Sequence, residues 1–329
     1  MAALRNGCAE KEKEMTRIFY FCPDFPQPSG GTRTLYRHVM RLREAGFDAA
    51  IVHRERDFRL TWHHYPAPVI WLADRPRFEA TDILVFPEVM PEWIQQTRHF
   101  AGRRVVIALS WLPSYARLQP GARWQDFGIH QAITTSPAVQ RHLEWSMEIP
   151  VTLIPECIDD EYYVYQPGQK AREIGYMTRK DNSGDWLQGT LTRRGRIREW
   201  RWVPLRNLDE TTYAQALQRA TIYLATTLQE GLHVSVLEAM ACGCLVVGYT
   251  GIGGGTHMVG EGDGQNCVLV ENGNLLQLGQ TLEQVLAELE ADAHRFDGVI
   301  GQALETARPY QDPARERQAL ADFFTALAS

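Results

Sequence analysis

The feature that most constrains this chain is a twice-repeated alternation of short apolar runs with helical patterns. In the first series the runs fall at Arg17 to Cys22, Asp48 to Val52, Val69 to Leu72, Asp82 to Phe86, Arg104 to Leu109 and Gln131 to Thr135. In the second they fall at Glu173 to Tyr176, Trp200 to Pro204, Ile222 to Thr226, Leu245 to Gly248 and Cys267 to Val270. Near-continuous apolar strands alternating with helices predict parallel sheets covered on both faces. Helical spacing is found in Thr32 to Ala45, where Leu35, Val39 and Leu42 recur, and again in Thr212 to Arg219, Ser235 to Cys242, Leu275 to Leu289 and Pro313 to Leu327. The chain therefore reads as an α/β protein of two doubly wound, Rossmann-like domains facing across a cleft. The joint falls at Tyr162 to Lys170, a polar stretch carrying Pro and Gly. Residues 1–15 read as a tail, 16–165 as the first domain and 166–307 as the second, with a helix over about 308–329 packing back on the first.

Composition narrows the function. The net charge is -6, so the clustered basic excess that phosphate backbones require is missing and no nucleic-acid partner is expected. The 6 cysteines are scattered, without the pairing of a disulfide framework, and Cys242-Gly-Cys244 has no second ligand pair near it in sequence. A reducing, cytoplasmic compartment fits. No apolar run approaches the roughly 18 residues of a membrane span, and the charged first 14 residues lack the apolar segment of a secretory signal.

The chemistry concentrates in residues 225 to 256, ATTLQEGLHVSVLEAMACGCLVVGYTGIGGGT. A strand ends at Thr226, a loop carries Glu230 and Gly231, and a helix starts near Ser235. Gly231 permits close backbone approach. The amides of His233 to Val236 open a helix N-terminus, which favours an anionic diphosphate by hydrogen bonds and dipole together. A carboxylate before that helix suits sugar hydroxyls, and one in its first turn suits a ribose diol. Spacing alone leaves another role open, because Ser235-x-x-Glu238 also reads as a capping box.

The run EGLHVSVLEAMACGCLVV resembles the Glu-x7-Glu signature of the retaining glycosyltransferases of family 4, the glycosyl transferases group 1, which adopt the GT-B fold. Other elements follow in the same order: the loop Pro23 to Gly31, Ile133 to Pro137 (ITTSP), Leu153 to Asp159 (LIPECID) and Ile174 to Lys180 (IGYMTRK). The resemblance covers roughly residues 16 to 325. It implies a hexosyl transfer from a nucleotide-sugar donor to an acceptor hydroxyl, with retention and without a metal or other cofactor, in polysaccharide, glycolipid or other glycoconjugate synthesis. It assigns Glu230 to the transferred sugar and Glu238 to the ribose. Arg179 and Lys180 would stabilise the leaving diphosphate. Gly30 and Gly31 would approach the diphosphate from the first domain. Gly231, Leu232, His233, Val234 and Ser235 would surround the donor, and Val203 to Asn207 would meet base and ribose.

The chain departs from the family in places. Tyr176 follows the glycine of its strand where a basic residue is frequent, and Ser110-Trp111 occupies the place of a family histidine. Glu156-Cys157 replaces the family's Asn-Gly. His233 replaces a glycine, and its imidazole is expected to protrude near the donor. Arg193, Arg194, Arg196, Arg198 and Arg201 are expected on a surface turn and strand. Peripheral membrane contact stays open. A degenerate GT-B subunit that binds a nucleotide sugar without turnover is the main alternative. An NAD(P)-dependent oxidoreductase is a weaker one, because Gly251-Ile-Gly253-Gly254-Gly255 lacks the full dinucleotide fingerprint.

Overall fold

The computed structural model describes residues 16–112, 117–178 and 180–328. They form two parallel sheets. The first has 7 strands in the order β3-β2-β1-β4-β5-β6-β7. Its central strands are β1 (Arg17–Phe21), β2 (Asp48–His53), β4 (Ile83–Pro87) and β5 (Arg103–Ile107), flanked by β3 (Val69–Trp71), β6 (Ala132–Thr134) and β7 (Val151–Leu153). The second sheet has 5 strands in the order β12-β11-β10-β8-β9. These are β8 (Ala171–Met177), β9 (Arg201–Leu205), β10 (Ala220–Ala225), β11 (Leu245–Gly248) and β12 (Val268–Leu269).

The strands are apolar on both faces because helices cover both. On one side of the first sheet, Ile18, Tyr20, Ile51 and Val85 pack against Leu35, Val39 and Leu42 of helix α1 (Gly30–Glu44). On the other side, Phe21, Leu84, Phe86 and Val106 pack with Trp124 and Val139. Helices α2 (Pro91–Gln96) and α3 (Pro137–Met147) follow; Ser136 caps α3 by accepting from the Val139 amide at 3.3 Å, and Pro137 occupies the first turn, where a missing N–H costs nothing.

In the second domain, α4 (Ser183–Arg194) and α7 (Leu275–Ala291) cover one face of the sheet, and α6 (Val234–Ala241) and α8 (Asp297–Ala307) the other. Helix α5 (Glu210–Arg219) starts at Asp209, which accepts from the Thr212 amide at 2.9 Å. The final helix, α9 (Pro313–Ala328), returns to the first domain, where Leu320 and Phe324 are fully buried in its core.

Two local expectations need correction. Helix α1 begins at Gly30 with Ser29 as N-cap, so the glycine pair forms its first turn rather than a preceding loop. Arg193 and Arg194 end helix α4 rather than lying on a turn, where they suit the negative end of its dipole. That helix escapes a periodicity scan because little beyond Leu187 and Leu191 marks its buried side.

Candidate active site

In an open parallel sheet, ligands bind beyond the carboxyl ends of the strands, where the strand order reverses. The first sheet reverses between β1 and β4, and the second between β8 and β10. The loops that leave these four strands meet around one interdomain cavity of about 610 Å³. β1 leads to Ser29, Gly30 and Gly31; β4 leads to Glu88; β8 leads to Thr178 and Lys180; β10 leads to Glu230 and α6. Two helix N-termini therefore open on the cavity, those of α1 and α6. Neither has an acidic residue in its first turn.

The structure brings most of the expected residues together there. Gly30, Gly31, Lys180, Glu230, Leu232, Val234, Ser235 and Glu238 all line the cavity. The Lys180 ammonium donates to Glu230 Oε2 at 2.5 Å. Arg179 lies outside the described residues.

Three expected residues are placed elsewhere. Gly231 is buried against the first domain: Ser136 Oγ donates to its carbonyl at 2.5 Å, and a Cβ at Gly231 would collide with the Leu109 carbonyl oxygen. Its missing side chain serves the approach of the two domains. His233 is the N-cap of α6 and is buried, with its amide donating to Gly254 O at 3.1 Å. Its imidazole points at Gly251, not at the cavity, and burial keeps it neutral, lowering its pKa to about 3. Val203 is internal to β9, and the cavity is met instead by Leu205 to Leu208. Asn207 there has φ 50°, a left-handed conformation that asparagine tolerates.

The amides at the start of α6 are also unequal. Those of His233 and Val234 have carbonyl acceptors, Val236 closes on the His233 carbonyl, and the Ser235 amide has no acceptor among the described residues.

Glu238 is no capping residue. It stands inside α6 with 3% exposure. Arg33 Nη2 donates to its Oε1, and the Tyr213 hydroxyl donates to its Oε2 at 3.0 Å. Arg33 Nη1 donates further to Tyr163 Oη at 2.7 Å and to Glu210 Oε1 at 2.8 Å. Glu210 also pairs with His64 Nδ1 at 2.8 Å, and His64 Nε2 meets Asp159 Oδ2 at 2.7 Å. Arg33 and His64 belong to the first domain, Glu210 and Glu238 to the second, so this network ties the domains beside the cavity. Burial alone would raise the Glu210 carboxyl, but the hydrogen bonds and charges of His64 and Arg33 bring it down to about 2. Burial would lower the His64 imidazole, but Asp159 and Glu210 raise it to about 9.

Sequence reasoning missed Arg33, Glu88 and Glu210, whereas Arg206 falls within the expected segment Val203 to Asn207 and lines the cavity. Two signals were available. Arg33 and Arg37 stand four apart on the helix face that carries the apolar stripe, and Glu88 directly follows an apolar strand. Glu88 is 5% exposed, and burial raises its carboxyl to about 7 against the pull of the Leu109 and Ser110 amides and Lys180. Arg206 Nε donates to Thr178 Oγ1 at 2.8 Å, and its Nη2 donates to Asp185 at 3.2 Å.

The glycine-rich loop after β11 packs on the Glu230 loop. A Cβ at Gly254 would strike the Glu230 backbone, so these glycines serve close packing.

Residues 183–288 match the family described as glycosyl transferases group 1. This segment contains Glu230, α6 and Glu238. An alpha-1,6-glucosyltransferase of Actinobacillus pleuropneumoniae serotype 7 (strain AP76) is 23% identical over 257 residues, covering 70% of this chain and 72% of that protein. Sucrose-phosphate synthase from Thermosynechococcus elongatus has a similar structure, with TM-score 0.71 and 14% identity over 95% of this chain and 99% of its own. Anabaena HepE in complex with UDP-glucose has TM-score 0.68 and 16% identity over 95% and 100%. The structural likenesses show the fold, two parallel-sheet α/β domains of GT-B architecture, and the segment 183–288 of the second domain is what resembles the group 1 glycosyl transferases.

Proposed function

We propose that the chain transfers a hexose, with glucose as the first candidate, from a uridine diphosphate sugar to an acceptor hydroxyl with retention at the anomeric carbon. The observation that carries this reading is the meeting of two helix N-termini, the Lys180–Glu230 pair and Glu238 in one interdomain cavity. The relative named a glucosyltransferase and the neighbour bound to UDP-glucose supply the choice of donor.

In this reading the diphosphate lies between the N-termini of α1 and α6, with Lys180 and Arg179 neutralising the charge that develops as it departs. Glu230 accepts from sugar hydroxyls. The ribose reaches Glu238 by sharing its carboxylate with Arg33. Leu205 to Asn207 flank the base. The bond from the anomeric carbon to the diphosphate breaks as the acceptor oxygen bonds on the same face. The acceptor proton passes to the departing phosphate, which leaves as UDP. The protein supplies the charge stabilisation, so a chelator should leave turnover unchanged. The acceptor is assigned to glycoconjugate synthesis and the compartment to the cytoplasm; the free thiols Cys22, Cys157, Cys242, Cys244 and Cys267 agree with a reducing one. No helix among the described residues is long and apolar enough to cross a membrane.

A thermal-shift series with UDP, GDP, ADP, TDP and their glucose conjugates, with and without EDTA, tests this. A ligand at about 100 times its Kd adds about 2.7 kcal/mol of stability. The expected result is an EDTA-insensitive rise with UDP and UDP-glucose that Glu238→Ala abolishes. A rise with NAD(P) alone, or with none of these compounds, overturns the reading.

A further inference from the structure

One carboxyl on the cavity wall has no part in the roles assigned above. Glu88 directly follows β4, the strand beside β1 where the first sheet reverses. Its Oε1 accepts from the amides of Leu109 at 3.1 Å and Ser110 at 2.9 Å. No hydrogen bond reaches its Oε2 among the described residues, although the side chain lines the cavity and the residue is 5% exposed. Oε2 is not among the fully buried unpaired polar atoms of the described residues, so it keeps exposure on the cavity side and is open to a ligand group that donates to it.

The neighbours of Glu88 restrict what that ligand group is. Lys180 is near enough for its charge to act on Glu88, and the same ammonium pairs with Glu230 at 2.5 Å. Two carboxyl groups from opposite domains therefore line the cavity together with one cation, which is paired to Glu230. A carboxylate repels a diphosphate and accepts from hydroxyls, so Glu88 belongs against a polyhydroxyl portion of the ligand.

We propose that Glu88 Oε2 accepts from the donor's sugar, so that the transferred hexose is held between Glu88 of the first domain and Glu230 of the second. This rests on the donor reading above and adds that the first domain takes part in selecting the sugar. The anchoring of the Leu109–Ser110 backbone needs only Oε1. A glutamine keeps that oxygen and replaces Oε2 with a donor, which separates the two roles.

The test is calorimetric titration of UDP and UDP-glucose into the wild-type protein, Glu88→Gln and Glu88→Asp. The expected result is that Glu88→Gln binds UDP within twofold of wild type and UDP-glucose at least tenfold more weakly. Glu88→Asp, which withdraws the carboxylate by one methylene, should show the same selective loss and serves if the amide variant does not fold. Unchanged UDP-glucose affinity in a folded variant overturns the proposal and leaves the donor reading standing; Glu88 would then face the acceptor or only hold its loop. Equal weakening of both ligands also overturns it, since the effect would not lie at the sugar. If wild type binds neither compound, the donor reading falls and this proposal falls with it.

Discussion

Arg33 bonds across the domains to Glu210 and Glu238, and within its own domain to Tyr163. Its guanidinium is buried, and so are the two carboxylates it separates. A buried ion pair adds little against an apolar substitute of the same shape, but removing one partner strands the other charge and costs about 3–5 kcal/mol. Arg33→Met should therefore lower the unfolding free energy by an amount in that range, read as a lower urea midpoint, because Glu238 and Glu210 lose the cation between them. A midpoint unchanged within error would show that the network contributes nothing to holding the domains. Glu230 and Glu238 were legible in the sequence because seven residues separate them in a recognisable order. Arg33 and Glu88 were not, because their partners lie far away along the chain; Arg33 and Glu238 are 205 positions apart.

At the scale of elements, the loop into α6 and the first turn of α1 use glycine differently. Alanine at Gly231 would place a methyl group against the Leu109 carbonyl oxygen and 3.0 Å from Val139 Cγ2. A backbone carbonyl cannot swing aside as a long side chain can, so one domain must shift. Overpacking of this kind costs about 1–3 kcal/mol. Gly231→Ala should lower the thermal midpoint by several degrees and weaken UDP binding as the loop moves. Gly30→Ala is the control, because its Cβ would meet nothing within 4 Å and alanine is the better helix former. If both variants melt like wild type, the contact between Gly231 and Leu109 is not a constraint. Both glycines read alike in the sequence as loop residues near a diphosphate, and only packing separates them.

Across the whole molecule, two further features join the domains. The chain leaves the second domain and returns through α9, whose Phe324 is fully buried in the first core. Phe324→Ala should cost about 3–5 kcal/mol and be visible as early melting in calorimetry. The second feature is His64, held by Asp159 and Glu210 and stacked on Tyr162 at 4.3 Å. Its pKa is about 9 against an ordinary 6.5, so the folded state binds the proton more tightly than the unfolded chain. The stabilisation is complete below pH 6.5 and is lost as pH rises towards 9. Wild type should lose on the order of 2 kcal/mol between pH 7 and 9, measured by urea unfolding, and His64→Gln should flatten that limb. A limb that persists in the variant would assign the titration to another group.

The sequence by itself determined the parallel two-sheet architecture and the location of the Glu-x7-Glu loop, while the order of strands within each sheet came from the structure. The architecture and the loop depend on apolar periodicity, on glycine and on short-range spacing, all of which are local. The tertiary structure alone decided which side chains share the cavity. It turned His233 away into the glycine loop, used Gly231 for domain contact, closed Glu238 onto Arg33 and brought Glu88 opposite Lys180. These outcomes depend on which face of each element meets the other domain. That is settled by packing between segments far apart in the chain, and no single segment carries it.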